Sequence, residues 1–128
     1  MPNFQQLSND QINEAIHGAV ELHIPVVITL RDDDMWLTYY SRFVSTDGMR
    51  FVIELPHSDQ GDPREWAAAD RVGLSFKYRH YKYICSATLA GVDTIQDENG
   101  DAKTVITVIS PTQMHRLQRR VYKRVTIP

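Results

Sequence analysis

Apolar residues first recur at helical spacing. Ile12, Ala15, Ile16, Ala19 and Val20 fall on one face, while Asn13, Glu14 and His17 point away from it. Ser8 is placed to cap such a helix, and Gln11 completes a capping-box pattern. The pattern predicts one helix over about residues 8–23, stopped by Pro25. Gly18 weakens it by about 1 kcal/mol relative to alanine.

Beyond Pro25 the period shortens to that of strands. Residues 26–30 are short, apolar and β-branched, and Arg31-Asp32-Asp33-Asp34 breaks them as a polar turn. Residues 36–45 read as a strand that turns at Asp47-Gly48 and returns over residues 51–55. Residues 56–65 are a loop by composition, and residues 66–69 a short turn or covering segment. Residues 72–80 and 83–92 read as two strands joined near Tyr81-Lys82, or equally as one long bent strand. Asn99-Gly100 marks another hairpin, and residues 104–109 are strongly β-branched. Pro111 ends that run, and residues 112–119 read as a connector of about one helical turn. The last residues alternate and can be extended. About six short strands, tight turns and one helix predict a mainly β protein, a small antiparallel split β-barrel.

Composition narrows the class. The chain has 128 residues, 42% hydrophobic, which suits one small domain with a true core and excludes a wholly disordered chain. No apolar run approaches the ~20 residues needed to span a bilayer. Residues 1–10 show no secretory pattern. A lone cysteine, Cys85, makes no internal disulfide, and a cytoplasmic location is expected. The net charge of −2 hides an asymmetry. From His115 onward there are five basic residues (Arg116, Arg119, Arg120, Lys123, Arg124) and no acid, whereas the other 114 residues balance at −7. A basic tail on an acidic body calls for an anionic partner at the tail.

Most catalytic and metal signatures are missing. There is no phosphate loop, no G-x-G-x-x-G, no H-E-x-x-H and no C-x-x-C. Residues 97–101 lack calcium-loop spacing and read as a solvated hairpin tip. Asp32, Asp33 and Asp34 cannot all face one cation from an extended chain. His57, Ser58, Asp59 and Asp62 hold the letters of a hydrolase triad in one polar loop with no orienting element. Cys85 reads as buried and inert. No enzyme activity, metal or resident cofactor is expected.

Two segments can bind something. In residues 76–83, alternation puts Phe76, Tyr78 and His80 on one face and Lys77 and Arg79 on the other. That separation suits a half-buried strand better than a base-stacking surface. In the tail, Arg120 and Arg124 are four residues apart and can address one ligand from a strand or a helix. Paired guanidiniums grip phosphate oxygens bidentately and stack on purines, properties suited to a compact dianionic dinucleotide.

Residues 111–125 closely resemble the junction of YcgR-like flagellar-brake proteins, where a PilZN domain meets a PilZ domain. Gln118-Arg119-Arg120 and Arg120-x-x-x-Arg124 match that family's linker motif, and residues 72–76 and 83–91 look like later strands of the same domain. The resemblance covers about residues 25–125 and is specific over residues 111–125. It implies a split barrel over residues 1–110, with residues 111–128 the linker and start of a PilZ domain that is missing. The sequence holds no [DN]-x-S-x-x-G motif, which in the family completes the site from the PilZ barrel. The implied ligand is cyclic di-GMP, held by Arg119, Arg120 and Arg124 with Gln118 and Lys123 in support. Binding by this chain alone is expected to be weak or absent, and residues 117–128 are expected to be flexible or held by a neighbouring chain. The implied role is a non-enzymatic bacterial signalling module in control of motility, with the flagellar motor or another protein as partner. An FMN-binding split-barrel protein or oxidoreductase is the first alternative. A nucleic-acid-binding β-barrel is the second, and the acidic body argues against it.

Overall fold

The computed structural model describes residues 4–58 and 64–118. The helix forms as its pattern requires: α1 spans Asn9–Glu21, and Ser8 and Gln11 exchange capping-box hydrogen bonds of 3.2 and 2.9 Å. Ile12, Ala15, Ile16 and Ala19 are buried, and the helix packs across the strands Met35–Thr46 and Arg71–Tyr78. It ends before Pro25, at Leu22, because the chain turns through His23 at φ +50°. Pro25 instead opens a strand.

Eight strands follow the chain as β1 (Phe4–Gln6), β2 (Pro25–Asp32), β3 (Met35–Thr46), β4 (Arg50–Glu54), β5 (Arg71–Tyr78), β6 (Tyr81–Gln96), β7 (Ala102–Ile109) and β8 (His115–Gln118). All pairings are antiparallel, in the order β1-β8-β6-β5-β2-β3-β4-β7. A further β6–β7 ladder joins the six central strands into a ring. About six strands are expected from the sequence, and eight lie among the described residues. The two extra ones, β1 and β8, are short and polar, so no alternation betrays them. Residues 112–118 hold no helical turn, since β8 occupies four of them, and Arg119 lies outside the described residues. Leu117 and Gln118 are therefore strand residues paired with β6, and the remainder of the segment expected to be flexible or held by a neighbouring chain, residues 119–128, lies outside the described residues.

The question left open at Tyr81-Lys82 resolves into two strands. β5 ends at Tyr78, and the turn passes through Arg79 at φ +59°. β6 is the longest strand because both its ends are used. Residues 81–88 pair with β5 on one edge, and residues 88–96 pair with β7 on the other. The register slips between Leu89 and Gly91, which bends the strand from one ladder into the next.

Inward positions fill the ring. Phe51, Phe43, Phe76 and Tyr83 touch in succession at ring-centroid distances of 5.4, 5.0 and 5.1 Å. Trp66 covers one side, packed edge-on against Tyr39 at 5.0 Å, so residues 66–69 act as the covering segment. At Asp47-Gly48 the backbone N–H groups of Arg50 and Met49 donate to the Asp47 carboxylate and lower its pKa. Asp97 likewise accepts from the backbone of Asn99 and Asp101, which explains that acidic tip as a turn.

Gly18 has a reason its propensity hides. A Cβ there would overlap the Tyr78 ring, so the absent side chain lets β5 close against the helix.

Candidate functional site: the strand that leads into the basic tail

Of the residues assigned to the tail site, only Gln118 is among those described. Arg119, Arg120, Lys123 and Arg124 lie outside the described residues, as do Asp59 and Asp62. The strand leading to them is well defined. Met114 is 1% exposed and sits in the core, and its carbonyl accepts a 2.9 Å hydrogen bond from the Leu7 N–H. From that anchor β8 runs between β6 and β1. Arg116 Nε donates to Gln5 Oε1 at 2.9 Å, and its guanidinium lies 4.2 Å from the Tyr81 ring centroid. Gln118 ends the strand opposite Tyr81, beside the β5–β6 turn. An exposed segment is thus held on both edges, by a core methionine and by a cation on an aromatic face.

The surroundings of Gln118 are basic. Lys82 pairs with both Leu117 and Lys77. Arg79 lies 5.2 Å from the Tyr78 ring. Phe76 and Tyr83 stack inside the core, so the aromatic run does not form a base-stacking surface. His80 does not share the face of Phe76 and Tyr78 as alternation suggested, because the strand ends before it.

Other candidates resolve into structure. Burial pushes the Cys85 thiol up to about 12, leaving it un-ionised at neutral pH. His57 pairs with Tyr40 through two backbone hydrogen bonds of 2.8 and 3.0 Å, so it extends the edge of β3. Asp34 reaches Arg31 at 3.8 Å. Among the described residues, no three His, Cys, Asp or Glu side chains gather to hold a metal, and no helix is long and apolar enough to cross a membrane.

The residues that sequence reasoning missed lie on the outer face of the sheet. β7 and β8 pair with the same edge of β6, but the register passes from Thr88↔Ile109 to Ile84↔His115. Residues 110–114 must bridge the three positions 85–87, so they leave the ladder. The gap opens into a trough of about 740 Å³. Gly73, Ser86, Arg31, Trp36 and Arg71 are among the residues that line it. No local signal marks it, because it depends on registers between distant strands.

No family model matches the sequence, and no curated protein matches it. The fold does match solved structures. The inhibitor of motility MotI/DgrA from Bacillus subtilis aligns at TM-score 0.59 and 17% identity, over 77% of this chain and 46% of that one. The YcgR-N domain of Escherichia coli YcgR aligns at TM-score 0.59 and 6% identity, over 88% and 93%. YcgR from the same organism, in complex with c-di-GMP, aligns at TM-score 0.61 and 11% identity, over 98% and 50%. The FAD binding protein from Mycobacterium smegmatis aligns at TM-score 0.51 and 12% identity, over 91% and 100%. The chain therefore shares the fold of the YcgR-N domain and spans about half the length of MotI and of YcgR. At these identities the likeness is one of fold.

Proposed function

We propose that the chain is a non-enzymatic regulatory domain that supplies the arginine-rich half of a cyclic di-GMP site. Arg119, Arg120 and Arg124 take the phosphates and guanines, with Gln118 and Lys123 in support. A PilZ barrel following residues 111–128 supplies the other half. The observation that carries this reading is the clamped strand β8, which brings Gln118 to a defined point immediately before the arginine pair. The shared fold with a protein solved with c-di-GMP supports it. The acidic body then serves as scaffold and protein-contact surface in a cytoplasmic motility switch.

The test is calorimetric titration of cyclic di-GMP into the chain joined to a PilZ barrel. Arg120→Ala and Arg124→Ala each lower affinity about a hundredfold or more, the scale of losing charge-assisted contacts to phosphate, while the thermal midpoint stays unchanged. Wild-type affinity in both variants removes the assignment.

A flavin-binding reading rests on the likeness to the FAD binding protein. It predicts that the purified protein is yellow, with flavin absorbance released on denaturation. A colourless protein that also fails to bind added FMN or FAD counts against it.

A further inference from the structure

The trough joins features that the tail site does not use. Arg31 pairs with Trp36 across β2–β3, Arg71 with Thr88 across β5–β6, and Thr88 with Ile109 across β6–β7. The β2–β5 register, Val26↔Phe76 to Thr29↔Gly73, brings Arg31 level with Arg71 two positions further on. One transverse row therefore reads Trp36, Arg31, Arg71, Thr88, Ile109. It crosses four inter-strand spacings of ~4.8 Å, or ~19 Å.

The chemistry of this row is one-sided. Trp36 is 67% and Ile109 42% exposed, so each end of the row is an uncovered apolar residue. The middle is two guanidiniums. Arg71 is steadied by a 3.0 Å hydrogen bond to Thr88 Oγ1. Arg31 donates to the Asp33 carbonyl at 3.2 Å and lies 5.9 Å from the Trp36 ring. Among the described residues that line the trough none is acidic, although the body of the protein is. Arg31 is followed by the exposed Asp32, Asp33 and Asp34, of which Asp34 reaches its guanidinium at 3.8 Å, and such a solvent-screened pair contributes little. Thr29, Ser86 and Ser110 also line the trough, and Ser110 Oγ is buried with no hydrogen-bond partner among the described residues.

Length decides between occupants. A mononucleotide is too short to engage both apolar ends. An extended peptide at ~3.3 Å per residue covers ~19 Å with about six residues. Exposed tryptophan and arginine are the side chains that dominate protein contact sites, and a cationic strip between them selects acidic partners. We propose that the trough docks an extended acidic segment of a partner protein. Its carboxylates meet Arg31 and Arg71, and an apolar side chain packs on Trp36. Gln118, the described residue of the tail site, does not line the trough, and the proposal goes beyond the cyclic di-GMP reading.

The experiment is selection of random hexapeptides displayed on phage against the full chain, followed by titration of the enriched peptide by tryptophan fluorescence. Trp36 reports the trough, and Trp66, buried against Tyr39, gives a constant background. Enriched peptides are acidic with at least one apolar residue, shift Trp36 emission, and weaken as salt rises. Arg31→Gln with Arg71→Gln weakens binding about tenfold or more, as does Trp36→Ala, with unchanged circular dichroism. Arg120→Ala with Arg124→Ala leaves it unchanged. No enrichment, enrichment of non-acidic peptides, or full affinity in the arginine variants overturns the proposal. So does a nucleoside monophosphate that shifts Trp36 emission when acidic peptides do not.

Discussion

β7 and β8 lie end to end along one edge of β6, yet they are held there by different forces. β7 is β-branched, is paired by β4 on its far edge, and buries Val105, Ile106 and Val108 completely. β8 is four residues of His, Arg, Leu and Gln, none of them buried. Its far-edge partner is the three-residue β1. β7 is a strand by its own sequence, whereas β8 is a strand because Met114, Leu7, Gln5 and Tyr81 hold it. A segment built this way can sit beside a ligand site and respond to it without disturbing the ring.

The largest effect that breaks this contrast comes from β7. Ile106→Ala leaves a cavity in a fully buried site and costs about 3–4 kcal/mol of global stability, read by chemical denaturation. Met114→Ala removes the anchor of β8 and costs about 2–3 kcal/mol. Its signature is faster amide exchange at residues 115–118 than at residues 105–108. Equal acceleration in both strands would mean that β7 and β8 form one unit.

Gly18→Ala sharpens the role of the helix contact. Propensity alone predicts stabilisation by about 1 kcal/mol. The Tyr78 ring where the Cβ would lie reverses the sign, and destabilisation of about 1–3 kcal/mol is expected. Combining it with Tyr78→Ala recovers part of that loss, and strict additivity of the two would contradict the packing account.

Cys85 tests the interior of β6 beside the gap. Its pKa of about 12 against an ordinary 9.0 keeps the thiol protonated in the fold. Iodoacetamide at pH 8 should label it only on unfolding. The linked stability is fully present below pH 9 and is lost as pH rises towards 12. The smallest effect belongs to Arg116→Gln, which removes the guanidinium from Tyr81 at a cost of about 0.5–1 kcal/mol, confined to β8.

The same contrast explains what the sequence made legible. α1 and the turns at Asp47-Gly48 and Asn99-Gly100 carry their own signals in capping and turn residues, and they form where expected. β1 and β8 carry none, because three or four mostly polar residues become strands only by pairing with distant segments, β8 with β6 and β1 with β8. The ring closes through Thr88↔Ile109 and the trough opens between that pair and Ile84↔His115, and neither register has a local determinant. The arginine motif is read from spacing alone, and its arginines lie outside the described residues. Where its approach strand runs was not legible, since that depends on Met114 reaching the core.

The most direct measurement is amide exchange with and without cyclic di-GMP, on the chain joined to a PilZ barrel. The account predicts slower exchange in residues 115–118 and in residues 81–84 that pair with them, with no change in residues 105–108. Protection spread equally over β7 and β8, or absent from β8 at saturating nucleotide, would contradict it.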